Sequence, residues 1–62
     1  MTRKDYIKFA EMLKHRLNWL GPDDNAGRAV VLGLTGEIAD IFERENPRFD
    51  RERFYRAAGA PQ

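Results

Sequence analysis

Apolar residues recur along this chain at helical spacing. Tyr6, Ala10, Leu13, Leu17 and Leu20 advance in steps of four and three, which lines one face of a helix turning about 100° per residue. Thr2 stands before them as a good N-cap, Asp5 occupies the third helical position, and Met1 and Tyr6 take the two places of a hydrophobic staple. Gly21-Pro22 closes the run, because glycine accepts a left-handed cap and proline cannot continue the hydrogen-bond ladder. The pattern predicts a first helix over residues 3–20. A second set, Val30, Val31, Leu34, Ile38, Ile41 and Phe42, predicts a helix over 25–45 that Asp23 or Asp24 caps. Asn46 precedes Pro47, which disfavours helical geometry and stops it. A third, short helix is predicted over 51–58, with Asp50 as cap, Phe49 and Phe54 as staple, and Gly59 then Pro61 as its end. No strand alternation, repeat or low-complexity stretch interrupts this. The expected fold is all-α: one domain over 1–62, an antiparallel two-helix hairpin with a short third helix at its C-terminal end folded back on it.

Both long helices carry more apolar surface than a hairpin covers. Phe9, Met12 and Trp19 fall on a shoulder of the first helix, with Ile7 on the other side. Ala29, Leu32, Gly33, Gly36 and Ala39 form a small-residue band on the second, roughly opposite the Val30–Ile38–Ile41 face. A glycine inside a helix costs about 1 kcal/mol relative to alanine, so two on one side invite close approach by another helix. That helix is either the chain's own third helix, arriving with the Phe49 corner, or one from a second copy. Size favours the second copy: 62 residues without a cysteine have a small core and no disulfide to reinforce it. The expected oligomer interface is Phe9, Met12, Ala29, Leu32, Gly33, Gly36 and Ala39.

A net charge of +1 conceals segregation. Residues 1–20 hold five bases and two acids, residues 21–47 two bases and six acids, and residues 48–62 four bases and two acids. Basic flanks around an acidic middle favour attraction between segments, within a chain or between chains. The overall balance is not that of a dedicated DNA binder, and the second helix is acidic, so duplex DNA is disfavoured as a partner. No apolar run reaches the ~20 residues of a membrane span, and no signal-peptide hydrophobic region follows the N-terminus. A cytoplasmic protein is expected.

Catalytic chemistry has little to draw on. The chain has no Ser and no Cys, which excludes Ser/His/Asp and Cys/His arrangements. His15 is the only imidazole, and Glu11 one turn before it makes a surface ion pair the simplest reading. Glu37, Asp40 and Glu43 lack the Glu-x-x-His element of helical metal sites, and Gly33-Leu34-Thr35-Gly36 lacks the strand and lysine of a phosphate loop. No enzyme, cofactor or metal is expected. The remaining candidate site is Arg48, Arg51, Arg53, Tyr55 and Arg56, with Trp19 as a further stacking surface. Guanidiniums beside an aromatic face suit phosphates, carboxylates or bases. Arg51 and Arg53 also stand in a first turn, where helix stability alone prefers acids.

The two ends, Met1-Thr2-Arg3-Lys4-Asp5-Tyr6 and Asn46-Pro47-Arg48-Phe49-Asp50-Arg51-Glu52-Arg53-Phe54 with Ala57-Ala58-Gly59, resemble short uncharacterised proteins encoded by bacteriophages and prophages. The resemblance covers about a third of the chain and implies a phage setting, in which small accessory proteins bind and disable host factors or sequester host signals. It brings no catalytic residues with it. The function expected is that of a non-enzymatic homo-oligomer acting on a host component. It would dock on a host protein or hold an anionic nucleotide signal between subunits, in a counter-defence role. A small DNA-binding regulator is the alternative.

Overall fold

A computed structural model describes residues 3–60. Three helices, α1 (Arg3–Trp19), α2 (Asn25–Glu45) and α3 (Arg51–Ala58), account for its regular structure, and the described residues contain no strand. Local chemistry sets their ends. Asp24 caps α2, its Oδ1 accepting from the Gly27 N–H at 2.8 Å, and Asp50 does the same for α3 from the Arg53 N–H at 3.1 Å. After α2, Asn46 is extended, and Asn46-Pro47-Arg48-Phe49 turns the chain, with the Phe49 N–H donating to the Asn46 carbonyl at 2.9 Å. Gly59 ends α3 at φ 74°; its N–H donates to Arg56 O and the Ala60 N–H to Tyr55 O, the paired bonds of a Schellman motif. The expected Thr2 cap and Met1 half of the staple lie outside the described residues, whereas Phe49 and Phe54 do form their staple, ring centroids 5.5 Å apart.

The Gly59 geometry gives a simple expectation. Alanine at 59 puts a Cβ in the left-handed region and lowers stability by about 1 kcal/mol; chemical denaturation of Gly59→Ala checks it.

The core is one cluster of Ala10, Leu13 and Leu17 from α1, Val31, Ala39 and Phe42 from α2, and Phe54 and Ala58 from α3. Phe42 is its hub, with Tyr6, Phe9, Phe49 and Phe54 rings at 4.7, 5.4, 5.3 and 5.5 Å from its own. Phe9 near the start of α1 meeting Phe42 near the end of α2 fixes the hairpin as antiparallel. Thr35 is the one buried polar residue among those described; its hydroxyl donates to the Val31 carbonyl at 2.8 Å, so it costs no unpaired donor. The third helix folds back and packs chiefly along α1.

The inward face of α2 differs from the apolar set that predicted the helix. Val30, Leu34 and Ile41 are 63%, 47% and 44% exposed, while Thr35 and Ala39 are sealed. Helix α3 packs against α2 as well as α1, on the side of α2 where the small residues lie. Tyr55 Oη lies 3.7 Å from where a Cβ on Gly36 would stand. Ala39, Leu32 and Gly36, expected at an oligomer interface, are therefore occupied within their own chain: Ala39 has no exposed surface, Leu32 packs on the core, and Gly36 faces Tyr55. Ala29 is exposed, and Gly33 has open space beside it.

Candidate functional site

Helical periodicity divides the arginines of the closing segment. Arg51 and Tyr55, one turn apart, both turn toward α2. The Arg51 guanidinium lies 2.6 Å from Asp40 Oδ1 and 3.6 Å from Glu43 Oε1, and it donates to Tyr55 Oη at 2.7 Å. Its charge is further favoured by the Asp40 bond and then the Tyr55 bond, which raise its pKa. Arg51 and Tyr55 thus strap α3 to α2, and two of the three α2 carboxylates considered as cation ligands, Asp40 and Glu43, are engaged by a guanidinium. Replacing Arg51 with alanine is expected to speed amide exchange in α3 and leave that of the α1–α2 seam unchanged, as hydrogen exchange read residue by residue would show.

Arg56 is exposed to solvent, and Arg48, Glu52 and Arg56, spaced one turn apart, form no ion pair with one another. Trp19 does not join the arginines either. It stands at the C-terminal end of α1, thirteen residues and about 20 Å along the axis from Tyr6, with Arg16 over its ring at 5.2 Å. A pocket combining Trp19 with the Arg cluster is not assembled within one chain.

Arg48 and Arg53 instead line an open groove of about 590 Å³ between the first half of α1 and the Phe49–α3 segment. A third arginine joins them there, Arg3, together with Tyr6, Ile7 and Phe54. The sequence did carry a signal for this: Arg3, Ile7 and Ala10 fall on one side of α1 in steps of four and three, the side that α3 covers.

A second exposed surface lies on the opposite side of the hairpin. On α1, Phe9, Met12, Arg16 and Trp19 share one shoulder, with Ile7 and Lys14 on the other; on α2, Val30, Leu34 and Ile41 share one shoulder, with Gly36, Asp40 and Glu43 on the other. Helix α3 takes the second shoulder in both cases, with Arg51 on Asp40 and Glu43, Tyr55 beside Gly36, and Gly59 beside Lys14. Because α1 and α2 run antiparallel, the two free shoulders turn to the same side. They form one mainly apolar face of Phe9, Met12 (56% exposed), Trp19 (72%), Val30, Leu34 and Ile41, with Arg16 among them over the Trp19 ring.

No family model, curated protein or solved structure matches the chain. Function therefore has to be read from these two surfaces. The hydroxyls of Thr35 and Tyr55 are both engaged, in bonds to the Val31 carbonyl and from Arg51. Among the described residues, every buried polar side-chain atom has a partner, no group of three His, Asp or Glu side chains is placed to hold a metal ion, and no helix is long and apolar enough to cross a membrane.

Proposed function

We propose that this chain is a non-enzymatic binding protein that works as a homodimer, paired through the apolar face opposite α3. The observation that carries it is the collection of six large exposed apolar side chains on one side of a hairpin whose other side already holds its third helix. Soluble monomers rarely leave contiguous apolar surface of this kind open. The molecule measures 36 × 17 × 15 Å across its Cα atoms, so one long face offers about 600 Å² before side chains are added. That is comparable with the ~600–1,000 Å² per partner of a specific interface.

Charge selects a second copy as the occupant and sets its orientation. Helix α1 carries five bases and two acids, α2 two bases and four acids. A two-fold axis parallel to the helices lays α1 over the partner's α2, opposite in sign, and completes a four-helix layer with antiparallel neighbours. A two-fold axis across the helices would lay α1 on α1, like charge on like. The first arrangement is the favourable one, and it leaves both α3 helices on the outside.

The resemblance of the two chain ends to phage-encoded proteins supports a host component as the target, with the dimer as a carrier of two outward binding surfaces. Duplex DNA is the weaker reading, because the acidic helix takes up much of the surface. Native mass spectrometry with Trp19 fluorescence tests the proposal. A dimer at micromolar concentration, with Trp19 emission shifting to the blue as dimer forms, is the expected result. A monomer whose Trp19 emission stays that of a solvated indole at every concentration would sink it.

A further inference from the structure

We propose that the groove between α1 and the Phe49–α3 segment binds a small ligand that joins a flat aromatic ring to a phosphate, the chemistry of a nucleoside monophosphate. Its lining carries three arginines, Arg3, Arg48 and Arg53, against one carboxylate, Asp50. That carboxylate is already committed: Asp50 Oδ1 accepts the Arg53 N–H as the cap of α3. None of the three guanidiniums makes an ion pair with a described residue, in contrast to Arg51 on the other side of the same helix. Three unpaired cations around one mouth repel each other and contribute nothing to folding that is visible in the structure. Two of them, Arg3 and Arg53, also stand in the first turns of α1 and α3, where the helix dipole opposes their charge. An anion in the groove reverses all of these penalties together, and guanidiniums meet phosphate oxygens with paired N–H donors.

The rest of the lining specifies the other half of the ligand. Tyr6, Ile7, Phe49 and Phe54 give an aromatic and apolar wall, suited to a flat ring more than to a sugar or a free ion. A volume of about 590 Å³ lies within the ~300–1,000 Å³ of small-molecule sites. The backbone that carries Arg48 and Arg53 is fixed by the turn and the cap. Asn46 Oδ1 accepts the backbone N–H of Arg48 at 3.1 Å, and Asp50 Oδ1 accepts the backbone N–H of Arg53 at 3.1 Å. The groove lies on the α3 side of the hairpin, away from the pairing face, so either surface can fail a test without the other.

Titration of isotope-labelled protein, followed by amide chemical shifts, separates the two halves of the ligand. The probes are adenosine 5′-monophosphate, adenosine and inorganic phosphate. The monophosphate is expected to shift the amides of Arg48, Phe49 and Arg53 and to bind at least about tenfold more tightly than either fragment. Arg48→Ala and Arg53→Ala should each weaken it about tenfold, and Arg56→Ala, the same change of charge at a residue that does not line the groove, should weaken it much less. All three positions are exposed, and helicity by circular dichroism confirms that each variant folds. Inorganic phosphate binding as well as the monophosphate, equal losses at Arg56 and Arg53, or shifts confined to residues of the pairing face would each overturn the proposal.

Discussion

Phe42→Ala is expected to abolish cooperative folding. Phe42 is 2% exposed and touches four other rings, so its removal deletes the one side chain through which α1, α2 and the Phe49–α3 segment all meet. Truncating a buried phenylalanine costs about 3–5 kcal/mol, because a cavity is left where neighbours cannot close in. A chain of 62 residues has only about 3–9 kcal/mol in total, at roughly 0.05–0.15 kcal/mol per residue. The loss therefore consumes most or all of the margin. Thermal unfolding followed by circular dichroism should lose its sigmoidal transition. Phe42→Leu fills much of the same space and should retain one at a lower midpoint. A sharp, little-shifted transition for Phe42→Ala would mean that the aromatic cluster is not what holds the three helices together.

The second large effect concerns association. In a dimer paired through the apolar face, Met12→Glu and Val30→Glu together place four carboxylates in one largely apolar layer, where Arg16 of each chain is the only cation on that shoulder of α1. Each buried unpaired charge costs several kcal/mol, so the dimer should dissociate at least about a hundredfold more readily. The subunit fold should survive, since neither side chain belongs to the core cluster. Two readings check this. Sedimentation equilibrium should give the mass of one chain. The midpoint of thermal unfolding, which rises with concentration in the parent dimer, should become independent of it. An unchanged dimer would place the contact elsewhere, with the exposed band of Ala29 and Gly33 as the next surface to examine.

Much of this fold was legible in the sequence, for local reasons. The ends of α2 and α3 follow from Asp24, Asn46-Pro47, Asp50 and Gly59, each acting on backbone within a few residues of itself. Helix α1 stops at Trp19, one residue short of the expected end, although the Leu20 N–H still bonds to Arg16 O at 3.3 Å. The side of α2 that faces inward was not legible. Two of its flanks are apolar, and a helical wheel weighs Val30 and Leu34 above Thr35 and Ala39. The choice depends on where α3 packs, against α2 as well as α1, and nothing local encodes that placement.

The same distinction runs through the arginines. That Arg51 and Tyr55 share a side of α3 is a matter of spacing, but the carboxylates they reach belong to α2, with Asp40 eleven residues earlier in the chain. Arg3 is separated from Arg48 by most of the chain and joins it only because α3 folds back along α1. What looked like one cluster is thus a strap, a solvated cation and two members of a groove. Trp19 is separated from these arginines for an equally physical reason: the length of α1 lies between it and the groove.

The pairing face is tested most directly by isotope-filtered nuclear Overhauser spectroscopy on a mixture of labelled and unlabelled subunits, which detects only contacts between chains. The account predicts contacts from Met12 and Trp19 of one chain to Val30, Leu34 or Ile41 of the other, and none from Arg53 or Arg56. Intermolecular contacts that run through α3, or none at concentrations where the protein is dimeric by mass, would contradict it.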